Sequence, residues 1–133
     1  SFGDTALAAE AANTQIAAGA DVLTGSAQQV VGAIGVAKDA GVPWMGVQAD
    51  QSPLAPDVVV ATVLYDWRPT LLAMIQANQS GNYGDQVFQL TLENSGQTMI
   101  YSDSLPEDAV AAAQAAEAGI IDGSIEIVPE PRN

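Results

Sequence analysis

The sequence predicts an α/β domain, a three-layer, open and mainly parallel sheet with helices on both faces. Short apolar runs alternate with alanine-rich stretches of helix length, which is the pattern of a layered α/β chain. The run Val58 to Leu64 is almost unbroken and β-branched, as suits a parallel strand covered on both sides. Glycines at 19, 41 and 123 each follow such a stretch, where a left-handed residue would end a helix. At 133 residues the chain reads as a single lobe, 1–133, long enough to bury a core.

In chain order, Asp4 is placed to cap a helix running through Ala18. Ala8, Ala12 and Ile16 form its inner stripe, with Leu7 and Ala11 beside it. Asp21 to Thr24 reads as a buried strand. A helix from about Ala27 to Ala40 would turn Val30, Val31, Ile34 and Ala37 inward. Pro43 to Val47 and Val58 to Leu64 are the next strands. A third helix begins at Asp66, tolerates Pro69 in its first turn and buries Leu71, Leu72 and Ile75. Ser80 to Gly84 is a turn. Phe88, Leu90 and Leu92 alternate with polar residues and turn at Asn94-Ser95-Gly96 into Gln97 to Tyr101, which predicts a hairpin. Ser104 and Glu107 have capping-box spacing for a helix ending near Gly123, and Ser124 to Val128 closes the chain as a short strand before a proline-rich tail.

Composition narrows the function classes. Three Lys+Arg stand against 16 Asp+Glu, a net charge of -13. Such a field repels nucleic-acid phosphates and anionic membrane surfaces, so no nucleic-acid partner is expected. Cysteine and histidine are both absent, which removes disulfides, thiol nucleophiles, the usual zinc sites and every histidine-based triad. No cofactor is called for. No apolar run approaches the ~20 residues of a membrane span. The chain opens on Ser1 without a basic-then-apolar leader and reads as a processed or excised piece. Its first element is a helix with no strand before it: either a strand precedes Ser1, or the domain begins on a helix.

Several motifs in this order resemble one family. They are Ser1-Phe2-Gly3-Asp4, Gly19-Ala20-Asp21-Val22-Leu23, Ala37-Lys38-Asp39-Ala40-Gly41-Val42, Gly46-Val47-Gln48-Ala49-Asp50-Gln51 and Ser52-Pro53-Leu54-Ala55-Pro56-Asp57. The family is the basic membrane protein group of substrate-binding proteins, also called purine-nucleoside-receptor-like. Its members are extracytoplasmic components of ABC importers with a two-lobed type I periplasmic-binding fold. The resemblance covers nearly the whole chain but only the C-terminal half of a typical member. It implies that this is the second lobe without its first strand, accompanied by the remaining N-terminal part of the same protein. It further implies that the absent strand lies between Asp21–Thr24 and Pro43–Val47. A compact, complete sheet made by these residues alone would overturn that placement. The resemblance also implies a small-molecule solute, an ABC permease as partner, and a periplasmic or cell-surface lipoprotein location.

Candidate ligand residues gather where strands end, because open α/β sheets bind ligands outside the carboxyl ends of their strands. They are Phe2, Thr24, Ser26, Gln48, Asp50, Tyr65 and Trp67. Phe2 and Trp67 either stack on a planar ligand or pack in the core or hinge. Thr24, Ser26 and Gln48 are suited to orienting a ligand by hydrogen bonds, although Ser26 is equally placed to cap the second helix. Asp50 either accepts from a ligand or caps a turn. Against nucleoside-binding members, Thr24 replaces an aromatic, Gln48 an acid and Tyr65 a lysine. Those exchanges remove a charge-assisted pair and point away from a ribose diol. The expected function is binding of a small polar or aromatic solute, nucleoside-like or other, in an interlobe cleft. A ligand-sensing or scaffold module reusing the lobe is the alternative. A Mg²⁺-dependent enzyme using Asp50 and Asp66 is a weaker one, since phosphoryl chemistry would lack its usual cations and glycine-rich loop.

Overall fold

The computed structural model describes residues 3–84 and 86–128. Its elements are α1 (Thr5–Ala17), β1 (Leu23–Thr24), α2 (Val30–Ala40), β2 (Trp44–Gln48), a 3-10 turn (Ser52–Leu54), β3 (Val59–Tyr65), α3 (Arg68–Gln79), β4 (Gln97–Tyr101) and α4 (Glu107–Asp122). One four-stranded sheet runs in the order β1-β2-β3-β4. The first three strands are parallel, with Leu23 opposite Trp44 and Gly46 opposite Thr62. The bonds Ser102 N–H to Val60 O and Asp66 N–H to Gly96 O set the start of β3 beside the end of β4 and the end of β3 beside its start, so β4 is antiparallel to β3. The predicted α/β class with a mainly parallel sheet is what the chain adopts.

The chain divides into two compact units, Ser1–Tyr65 with Met99–Leu105, and Asp66–Thr98 with Pro106–Asn133. The first holds the core. Val30, Ala33, Ile34 and Ala37 of α2 pack with Ala12 of α1, Leu23 of β1, Trp44 of β2 and Val59 of β3. The side chain of Asp4 accepts from Leu7 N–H at 3.0 Å and caps α1 as predicted. Gly41 takes a left-handed φ of 67° and ends α2. Gly32 of α2 lies where α1 crosses. A Cβ there would run into the Thr5 carbonyl, so only glycine permits the helices to approach this closely.

Several expectations are corrected. The absent strand does not lie between the first two strands: β1 and β2 are directly paired, and β1 is an edge of the sheet. Apolar runs reveal strands but not which strands are neighbours. The first strand is short, with Asp21 and Val22 outside it and exposed. Helix α2 starts at Val30, three residues later than expected, because Ala27 carries a positive φ of 97°. Val31 is exposed, and Ala33 takes its place in the core.

The predicted hairpin does not form. The segment 86–92 is not a strand, and β4 pairs with β3 instead. The Asn94 side chain closes this loop, accepting from Thr91 and Gly96 N–H at 3.0 and 2.9 Å and donating to Gln89 O at 2.8 Å. Such side-chain bonds offer the backbone an alternative to a ladder.

In the second unit α3 starts at Arg68, because the Asp66 carboxylate accepts the Arg68 N–H at 2.9 Å and forms a turn. Leu71, Leu72 and Ile75 are exposed rather than buried, and Thr70 is the buried residue of that helix. An apolar stripe shows which face can be covered, not that it is covered. The capping box is not made: Pro106 occupies the N-cap of α4, and the Ser104 hydroxyl bonds to that of Ser102 at 2.8 Å. Gly123 ends α4 in the predicted left-handed conformation, with φ 79°. The residues after it turn back instead of forming a strand, with Ile125 N–H donating to Gly119 O at 2.8 Å.

Candidate functional site

The carboxyl ends of β1 and β2 lie side by side in the first unit, which makes the segments after them a shared rim. Ala27 and Gln48 sit on that rim with φ values of 97° and 79°. Non-glycine residues rarely adopt such angles, which cost on the order of 1–3 kcal/mol each and collect at ligand sites. Both residues line one pocket of about 370 Å3, together with Gln28, Val31, Asp50 and Gln51.

The sequence-derived residues divide between two concavities. Gln48 and Asp50 line the rim pocket. Thr24 and Ser26 line a separate groove, also about 370 Å3, bounded by Leu7, Ala11, Gln29 and Trp44. This groove borders β1 at the edge of the sheet and meets the rim pocket at Val30, which lines both. Thr24 is already committed, its hydroxyl donating to Met45 O at 2.8 Å across the β1–β2 pair. Ser26 is exposed and does not cap α2, whose N-cap is Gln29 without a side-chain bond. Tyr65 is half-buried at the end of β3 and lines neither concavity. Trp67 belongs to the second unit, where it precedes α3 at 56% exposure. Phe2 lies outside the described residues.

Local hydrogen bonds set the chemistry of the rim. Asp50 Oδ1 accepts the Ser52 N–H at 2.9 Å and closes an Asx turn just ahead of the 3-10 turn, whose N-cap is Gln51. Bonds from the Ser52 hydroxyl and N–H hold its carboxyl below the ordinary carboxylate range, so it is an anionic acceptor at neutral pH. Gln48 is exposed and offers both an amide donor and an acceptor. The apolar wall comes from Val31, Val47 and Leu54. The pocket therefore suits a small solute with one planar or apolar face and a polar edge.

Asp50 belongs to the first unit and Asp66 to the second. Asp66 is bound to Arg68, whose Nε lies 2.9 and 3.0 Å from its two carboxylate oxygens, and this holds its pKa down at about 2. Among the described residues, no group of three or more acidic side chains is placed to hold a metal ion. Also among them, no helix is long and apolar enough to cross a membrane. Ala27, Gln28 and Gln51 stand in the small polar stretches after the first two strands, where sequence reasoning looked for the rim, but only their neighbours were singled out as ligand residues. Gln51 was legible as part of the Asp50-Gln51 motif, whereas the positive φ of Ala27 leaves no mark in composition.

Comparison with known proteins agrees with this architecture. Three solved structures share the fold. A solute-binding protein of an ABC transporter system from Conexibacter woesei is 24% identical, with a TM-score of 0.68 over 96% of this chain. A counterpart from Aeropyrum pernix is 18% identical, with a TM-score of 0.77 over 98%. A transcriptional activator of the comK gene from Bacillus halodurans is 15% identical, with a TM-score of 0.79 over 93%. The chain spans 43%, 46% and 44% of those proteins, less than half of each. No curated protein matches it. The profile of the PnrA-like ABC transporter substrate-binding proteins matches residues 1–130. The chain belongs to that family, Bmp, which is a family of solute-binding proteins and not of enzymes.

Proposed function

We propose that this chain is a single ligand-binding lobe of an extracytoplasmic solute-binding protein that delivers a small polar or aromatic solute to an ABC permease. The solute, nucleoside-like or other, lies against the rim pocket with Gln48 and Asp50 as its polar contacts. The observation that carries this reading is the pair of left-handed non-glycine residues, Ala27 and Gln48, on one pocket at adjacent strand ends. Strain of that kind persists only where the surrounding structure holds it, and it is the usual mark of a clamp on a ligand.

The remaining half of the protein would complete both the site and the sheet. Among the described residues β1 is an edge strand, and the groove beside it is lined by Leu7, Ala8, Ala11 and Leu23. An added strand would pair with the first and cover the second. The solute would then be enclosed between two lobes closing about a hinge. Thr24, Ser26 and Tyr65 of the first unit are the further candidates for contact in that closed form.

A thermal-shift screen of the full-length protein against nucleosides, nucleobases, small sugars and amides tests the proposal. A true ligand at a hundred times its Kd stabilises by about 2.7 kcal/mol. Gln48→Ala should weaken that ligand, and Tyr65→Ala with unchanged affinity would remove Tyr65 from the site. Stabilisation by none of the compounds, together with turnover of any of them, would sink the binding-protein reading.

A further inference from the structure

The left-handed turn at Gln48 needs something to hold it, and the structure supplies it from beneath the strand. After Gln48 the chain reverses through Ala49 and Asp50, and Gln51 folds its side chain back under β2. Its Nε2 donates to Val47 O at 3.1 Å, and its Oε1 accepts the indole N–H of Trp44 at 2.6 Å. Trp44 is 1% exposed. An indole N–H that deep has no water to turn to, so losing its partner is costly and the Gln51 amide is firmly held. Gly46 makes the space: a Cβ there would lie 3.1 Å from Gln51 Oε1 and would collide with the Thr62 hydroxyl. The outer end of the loop is fixed by the bond from Ser52 N–H to Asp50.

We infer that Gln51 is a positioning residue: anchored on the buried Trp44 indole, it holds Gln48 in the left-handed conformation that places it on the rim pocket. Gln48 is the last paired residue of β2, opposite Leu64, and Ala49 and Asp50 after it have no partner in the β2–β3 ladder, so the ladder ends where the conformation has to be held. The inference builds on the reading of this pocket as the solute site. It identifies what shapes the polar edge that discriminates among solutes.

A double-mutant cycle in the full-length protein tests it without any ligand, using the folding constant from urea denaturation. With Gln51 present, Gln48→Gly should raise the folding constant about threefold, because glycine adopts a positive φ without steric cost. In the Gln51→Leu protein the loop is free to relax, and Gln48→Gly should instead lower the constant about threefold through backbone entropy. That reversal of sign is the expected result. An unchanged sign and size in both backgrounds would overturn the inference, since additive effects mark sites that are not coupled. If Gln51→Leu does not fold, Gln51→Glu serves as the second background, because it lacks the donor to Val47. The indole N–H resonance of Trp44, assigned by its loss in a Trp44→Phe protein, provides the second readout. It should shift and lose exchange protection in the Gln51 variant and stay in place with Gln48→Gly. A Trp44 signal unmoved by the Gln51 variant would equally overturn the inference. A failed solute screen leaves both readouts intact, so failure of the functional reading and failure of this one are separable.

Discussion

The two units of this chain bury their apolar residues to different extents. In the first, one buried apolar cluster includes Ile34 and Ala37 of α2, Ala12 of α1, Trp44 of β2 and Val59 of β3. In the second, the buried residues of its helices are Thr70 and Gly119, while Leu71, Leu72 and Ile75 of α3 are exposed. The difference teaches where stability resides and why the rim is on the first unit. A strained loop such as 48–51 can be held only by a packed core beneath it, and Trp44 is part of that core.

The sharpest way to break this comparison is to remove one large side chain from each unit. Trp44→Ala should cost about 3–5 kcal/mol in urea denaturation of the full-length protein, through cavity formation and the loss of the Gln51 bond. Leu72→Ser should stay within about 0.5 kcal/mol, as surface changes do. Equal costs would show that the second unit is as tightly packed as the first. Two glycines on one helix sharpen the comparison further. Gly32→Ala meets the Thr5 backbone and should destabilise by about 1–3 kcal/mol. Gly35 has open space around its Cβ direction, and Gly35→Ala should stabilise by up to about 1 kcal/mol. The same denaturation curves check both.

The smallest effect concerns Asp66 at the head of the second unit. Its folded pKa of about 2 lies below the ordinary 3.8, so its contribution to stability is present above pH 4 and is lost as pH falls toward 2. Arg68→Gln should return the Asp66 titration, followed by carboxyl NMR, toward 3.8 and flatten that part of the pH dependence.

Much of the fold was legible because local rules dominate it. Asp4 capped its helix, Gly41 and Gly123 ended theirs, and the β-branched run became β3. What failed was pairing. Residues 86–92 had the alternation of a strand, yet Asn94 tied that loop to itself and β4 went to β3. The rim was legible only in part. Small polar residues after β1 and β2 pointed to it, but two of them, Thr24 and Ser26, face the neighbouring groove, and the amide that anchors the rim is Gln51.

The sequence by itself determined the alternation of helices and parallel strands, the acidic charge and the family pattern, since each follows from residue order and short-range preference. Only the tertiary structure decided that β1 and β2 are neighbours, that Gly32 must be small, and that Gln51 reaches a buried indole seven residues back. Those facts depend on which surfaces meet, and a contact between distant parts of a chain costs ordering entropy that only the assembled core can offset.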